Sequence, residues 1–304
     1  MPSNEAADSA QPFPATLQDK PLAPGLYLVA TPIGNLEDIT LRALRILRSA
    51  DRIACEDTRQ TQKLLNHFSI RTPTVSYHLH NESSRAEELL TQLHSGARIA
   101  IVSDAGTPGI ADPGSQIASA AIVAGISVFP VPGANAAISA LIASGLPSER
   151  FTFHGFLSSK AGQRKTQFEL LPREGATHIF YEAPHRILDT LADIASIFGP
   201  DQPVVVAREL TKLHEEFLRG PVSQVSAQLA TREVVRGEIV LLLQLLPPAP
   251  TANVPRTSIA AQVAALIETE ALSEKDALKR VARERGLGKS EAYRELQREQ
   301  NRRR

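Results

Sequence analysis

The segment SDAGTPGIADPG (103–114) sets two aspartates, three glycines and two prolines directly after the apolar run RIAIVS (98–103). Glycine lets main-chain amides and carbonyls come close to a ligand, and proline fixes the curve of the loop. In α/β sheets, loops that follow strand C-terminal ends are where ligands bind. The chemistry this predicts is capture of a ligand by backbone amides and carbonyls. Phosphate chemistry is not expected. Gly288-Lys289-Ser290 looks like the end of a phosphate loop, but the earlier glycine it needs is replaced by Arg283, and no apolar strand precedes it. LYLVATPIGNLEDIT (26–40) offers one glycine, Gly34, where a dinucleotide fingerprint needs three. NAD and ATP are therefore excluded. His78, His80 and the pair His214-Glu215 lack zinc-site spacing, so no metal is expected.

The elements that must carry this loop are legible as short β-like runs: LYLVAT (26–31), RIAIVS, ISVFPV (126–131), THIFYE (177–182), PVVVAR (203–208) and EIVLLLQL (238–245). Stretches with three- and four-residue apolar spacing alternate with them, at 39–50, 83–96 and 185–199. That alternation predicts an α/β fold with largely parallel strands. The segment PGANAAISALIASGLP (132–147) frames a helix between glycine and proline signals, which sets a boundary near 133. The expected layout is a disordered leader over 1–24, α/β domains over 25–133 and 134–246, a proline-rich linker over 247–256 and a helical module over 257–304.

The 304 residues carry 33 Lys/Arg and 33 Asp/Glu, but residues 255–304 hold 12 basic against 8 acidic groups. In that tail Ser273 should cap a helix over 274–285, the turn 286–288 follows, and Ser290 should cap a second helix. Ala277, Leu278, Val281 and Ala282 form its apolar stripe and leave Lys275, Lys279, Arg280, Arg283 and Arg285 outside it. A helix-turn-helix with a basic face is the simplest reading, and it suits RNA. A lone Cys55 excludes a disulfide framework, no apolar run is long enough for a membrane span, and a cytoplasmic location is expected.

Seven motifs occur in order: VATPIGNLEDITLRA (29–43), ACEDTR (54–59), SDAGTPGIADPG, PGANAAISALIASGLP, FYEAPHR (180–186), ARELTKLHEE (207–216) and GEIVLLL (237–243). In this order and spacing the chain resembles the bacterial rRNA small-subunit methyltransferase I family, which has the tetrapyrrole (corrin/porphyrin) methylase fold. The resemblance implies two α/β domains with S-adenosylmethionine in the cleft between them, a homodimer, and 2′-O-methylation of a cytidine in 16S rRNA or the small ribosomal subunit. It places the methyl donor against Pro32, Ile33 and Gly34, against Asp104, Ala105, Gly106, Thr107, Pro108 and Ile110, and against Asn135, Ala136, Glu182, Leu210 and Gly237. Relatives acting on tetrapyrroles read GGDP where this chain has Ala105-Gly106-Thr107-Pro108, which favours a different substrate. Candidates to take the hydroxyl proton are Asp57, Glu182 and Lys212, with Glu56, His185 and Glu209 beside them in the same motifs. Arg59, Arg186, Lys279, Arg280, Arg283, Lys289 and Arg294 are the candidate RNA contacts, since guanidinium forks and ammonium groups suit phosphate. Two other readings stay open: methylation of a small molecule such as a corrin precursor, and RNA binding without catalysis.

Overall fold

The computed structural model describes residues 21–78, 81–246, 258–270, 272–285 and 289–302, without the side chains of 83, 283–284, 289–291 and 300–302. They fall into two units, one ending at Leu246 and one beginning at Pro247.

The first half of the larger unit runs β1 (Gly25–Val29), α1 (Leu41–Ser49), β2 (Arg52–Cys55), α2 (Thr58–His67), β3 (Thr74–Ser76), α3 (Glu82–His94), β4 (Arg98–Val102), α4 (Ser115–Val123) and β5 (Val128–Val131). Its five strands are all parallel, in the order β3-β2-β4-β1-β5. Alternate side chains go to opposite faces, so that Tyr27, Val29, Ile53, Cys55 and Val102 meet α1 on one side. Leu26, Ala54, Ile99 and Ile101 fill the other core. Burial on both faces is what a parallel sheet requires. Pro130 sits on the edge strand β5, the place where a missing N–H does no harm. Leu22, inside the stretch expected to stand outside the fold, is buried in the first core, and Ala23 accepts a 2.7 Å hydrogen bond from the Tyr27 hydroxyl. The polar composition of the leader as a whole hid this one apolar anchor. Residues 1–20 lie outside those described.

The second half comprises α5 (Ala136–Ser144), β6 (Phe151–Phe156), α6 (Ala161–Glu169), β7 (Thr177–Glu182), α7 (Ile187–Phe198), β8 (Pro203–Arg208), β9 (Glu216–Pro221), α8 (Val222–Ala230) and β10 (Ile239–Gln244). Its sheet has the order β6-β7-β10-β8-β9 and corrects the expectation of parallel strands. Only β6 and β7 are parallel, while β10 is antiparallel to both neighbours and β9 to β8. The reason is connection length: residues 209–215 between β8 and β9 are too few for a crossover, which takes a dozen or more. β10 lies at the centre, with Ile239, Leu241 and Leu243 in one core and Val240 and Leu242 in the other. Burying such side chains contributes roughly 1.5–3 kcal/mol each. Ile33, from the first half, packs into the second of these cores with Ala137, Leu141, Leu210 and Val240, and so fixes the two halves against each other.

The smaller unit is a bundle of α9 (Ile259–Glu270), α10 (Glu274–Glu284) and α11 (Lys289–Arg302). The stripe Ala277, Leu278, Val281 and Ala282 is buried against Ile259, Val263, Ala292 and Leu296. Ser273 Oγ accepts from the Asp276 N–H at 3.2 Å, as a cap does. α11 starts at Lys289, so Ser290 falls inside its first turn instead of capping it. No helix among the described residues is long and apolar enough to cross a membrane.

Candidate functional site

The C-terminal ends of the parallel strands carry the loops after β1, β2, β4 and β5, and these converge opposite the ends of β6, β7 and β8 and the start of β10. Between them lies a cavity of about 470 Å³, within the roughly 300–1,000 Å³ typical of small-molecule sites. Of the expected donor contacts, Ile33, Asp104, Ala105, Gly106, Thr107, Ile110, Asn135, Ala136, Glu182 and Leu210 line it. Pro32, Gly34, Pro108 and Gly237 do not line it.

Gly106 is held in place by a two-way backbone bridge to Thr31, with N–O distances of 2.8 and 3.1 Å. Its carbonyl also accepts from Ser103 Oγ at 3.0 Å. With φ at +85°, Gly106 occupies the left-handed region, and a Cβ there would stand 3.2 Å from Ile33 Cγ2. Thr107 Oγ1 donates to the Ala134 carbonyl at 3.1 Å, and Asn135 caps α5 by accepting from the Ile138 N–H. Ala111, in the same loop, has a positive φ of 60° despite its side chain. Strained backbone of this kind costs on the order of 1–3 kcal/mol per residue and concentrates at functional sites.

One wall is acidic. Glu56, Asp104 and Asp112 all line the cavity. Burial, with Glu56 and Asp104 nearby, raises the Asp112 carboxyl to about 6. Burial also raises Glu56, with Asp104 adding to the effect and His78 opposing it. Asp57 is placed differently. It caps α2, its carboxylate is paired with Arg59 at 2.9 Å, and these hydrogen bonds hold it at about 2, too acidic to be a proton acceptor near neutrality. Its own N–H donates to Asp104 at 3.0 Å. Glu182 reaches the cavity, but its carboxylate is buried and committed: it meets Arg186 at 2.6 Å, accepts from the Ala183 N–H at 2.7 Å and from Thr190 Oγ1 at 2.6 Å. Arg186 therefore turns inward onto Glu182, while Arg59 remains largely exposed and His185 is exposed beside them.

The ARELTK segment forms the opposite wall's support. Lys212 Nζ bridges Glu209 at 2.9 Å and Glu238 at 3.1 Å, and these hydrogen bonds outweigh burial and raise its pKa. Neither Lys212 nor Glu209 lines the cavity, although Glu238 does. Gly34 and Gly237 make this packing possible, since a Cβ on either would stand 2.4 Å from Lys212 Cγ or Glu209 Cγ. Glu209 and Thr211 both have positive φ, and the Thr211 hydroxyl accepts from the Asn35 N–H of the first half. Asp112, Phe156, Tyr181 and Glu238 line the cavity and were missed from the sequence. Asp112 and Tyr181 stood inside quoted motifs, whereas nothing in the sequence marked Phe156, which lies on an edge strand.

Residues 25–226 match the model of the tetrapyrrole (corrin/porphyrin) methylases. The ribosomal RNA small subunit methyltransferase I of Halalkalibacterium halodurans is 53% identical over 219 residues, which cover 72% of this chain and 75% of that one. The protein of the same name from a Synechocystis species is 46% identical over 268 residues, 88% and 95% of the two chains. The chain belongs to the ribosomal RNA small subunit methyltransferase I family of tetrapyrrole methylases. The fold of this methyltransferase family extends further: a crystal structure of a diphthine synthase superposes with a TM-score of 0.55 at 16% identity, covering 72% of this chain and 89% of that one.

The donor in this family is S-adenosylmethionine, which supplies an activated methyl group. The cavity suits it. Its sulfonium and ammonium outnumber its one carboxylate, and the Gly106 loop brings Asp104 and Asp112 to the cavity beside Glu56. Asp112 then makes binding depend on pH. A cationic ligand favours the ionised carboxylate, so donor affinity should rise with pH through about 6 and fall by up to about tenfold per unit below that, with one proton released on binding. The free protein responds in the opposite sense. A carboxyl raised above its unfolded value destabilises the fold in full above about 6, and the penalty is lost progressively as pH falls from there toward the ordinary value of 3.8. Calorimetry of donor binding between pH 5 and 8 in two buffers checks this; Asp112→Asn should abolish both trends, and an unchanged pH profile in that variant counts against the assignment.

Proposed function

We propose that this protein transfers the methyl group of S-adenosylmethionine to the 2′-hydroxyl of a cytidine ribose in the RNA of the small ribosomal subunit. One observation carries the reading: the acidic, backbone-cradled cavity between the two halves lies in a chain 46–53% identical to proteins named for methylation of that RNA. Methylating a hydroxyl releases a proton. Glu56 and Asp112 both join a place in the cavity to a raised pKa; with Asp112 assigned to the donor, Glu56 is better matched to accept that proton than Asp57 or the committed Glu182. The basic C-terminal unit serves as an RNA-binding arm. The enzyme acts in the cytoplasm as a homodimer, and exposed Ile122, Val123, Ile138 and Ile142 on α4 and α5 are apolar surface that such pairing would cover.

The test is to incubate the purified protein with labelled donor and either small subunits or naked 16S rRNA, and to map the product nucleotide by mass. A single 2′-O-methylcytidine is expected. Gly106→Val serves as the matched control: valine is strained at φ +85° and pushes on Ile33, so donor affinity should fall at least about tenfold with little change in fold. Methylation of a precorrin-type substrate, with none on RNA, would favour the small-molecule reading. RNA binding without any methylation would favour a non-catalytic role.

A further inference from the structure

In the smaller unit a second cavity, of about 690 Å³, opens between α10 and α11. Leu278 and Leu296 form its buried floor. Lys275 and Lys279 stand one turn apart on α10, Tyr293 and Gln297 one turn apart on α11, and Arg294 and Glu274 complete the rim. Tyr293, 55% exposed, lines the groove. The basic residues expected to form one RNA-facing patch are divided here: Lys275, Lys279 and Arg294 face this groove, whereas Arg280 pairs with Glu270 at 2.6 Å and Arg285 with Gln262 at 2.9 Å, both on α9. The side chains of Arg283 and Lys289 lie outside the described residues.

The geometry points to a binding site for single-stranded RNA in this groove, with one unstacked base lying against Tyr293 and the flanking phosphates against Lys275, Lys279 and Arg294. This deepens the proposed function and rests on it for the identity of the RNA. An aromatic ring over an apolar floor offers a base its flat face, and the ammonium groups of Lys275 and Lys279, one turn apart on the rim, match a phosphate backbone. A duplex would not use the ring, because its bases are already stacked.

The test uses the full chain and a fluorescein-labelled single-stranded RNA oligonucleotide, with the same sequence as a duplex for comparison, titrated at several salt concentrations. Tyr293→Ala and Tyr293→Leu should each weaken single-strand binding about 5- to 100-fold, while Tyr293→Phe stays near the unchanged protein. Lys275→Ala with Lys279→Ala should flatten the slope of log affinity against log salt by about 1.4, at about 0.7 per phosphate contact. S-adenosylmethionine affinity and the melting temperature should not move in any of these variants, all of which alter exposed side chains. Unchanged RNA affinity in Tyr293→Ala overturns the proposal, as does equal dependence on Tyr293 for the duplex. Normal RNA binding combined with lost methylation of intact subunits would assign the groove to a ribosomal protein and overturn it as well. Tyr293-dependent RNA binding in a protein that methylates nothing would instead count against the proposed function alone.

Discussion

Glu56→Gln should slow methyl transfer by about 10²- to 10⁴-fold, the range of a lost general base, while donor affinity stays within a few-fold. The carboxylate follows β2 directly, lines the cavity, and is pushed up by burial and by Asp104. Glutamine keeps its shape and removes its capacity to accept a proton. In the unchanged protein the rate should climb with pH while Glu56 ionises and then level, and the variant should lose that limb. Asp57→Asn provides the contrast: its side chain caps α2 and grips Arg59, and asparagine can still cap, so the rate and its pH profile should stay close to normal. Single-turnover rates at several pH values decide, and a Glu56→Gln enzyme within threefold of normal would mean the proton leaves by another route.

Glu182→Ala should lower the stability of the larger unit by about 3–5 kcal/mol, the usual result of removing one partner from a buried ion pair. Three donors converge on this carboxylate, and Arg186 would be left largely buried with no counter-charge; its Nε already has no hydrogen-bond partner. At roughly 2–4 °C per kcal/mol for a unit of this size, the melting temperature should drop on the order of 10 °C. Catalysis per folded molecule should change less. The opposite pattern, a normal melting temperature with lost turnover, would restore Glu182 as a proton acceptor and displace Glu56.

Much of the site could be read from the chain because glycine and proline advertise backbone geometry locally. The turn around Gly106 was legible before any fold was known, and so was β10, whose unbroken apolar run signals burial on both faces. What escaped was long-range. β9 reads EFLRGP and β6 reads FTFHGF, each interrupted by glycine and polar residues, so both edge strands of the second sheet were hidden, and with β9 one of its antiparallel pairs. Roles of charged residues were hidden because they depend on burial. Asp57 and Glu182 look alike in sequence, yet one caps a helix and the other is locked beneath Thr190. Each has an arginine close by in sequence, Arg59 two residues on and Arg186 four, but whether the pair is buried or exposed is set by the packing around it, which local spacing does not record. Asp112 needed only the weight already given to its neighbour Asp104.

The placement of β10 also bears on how the protein is made. This strand is the last of the sheet in sequence but sits at its middle, between β7 and β8. Until residues 239–244 have been synthesised, β7 and β8 have no partner between them, and Glu238, Ile239 and Val240 are missing from the cavity wall. The first sheet, by contrast, is complete by Val131 and can assemble while translation continues. With the donor site proposed above, donor binding arrives late and all at once: a chain cut before β10 would be expected to fold its first half and still lack the cavity.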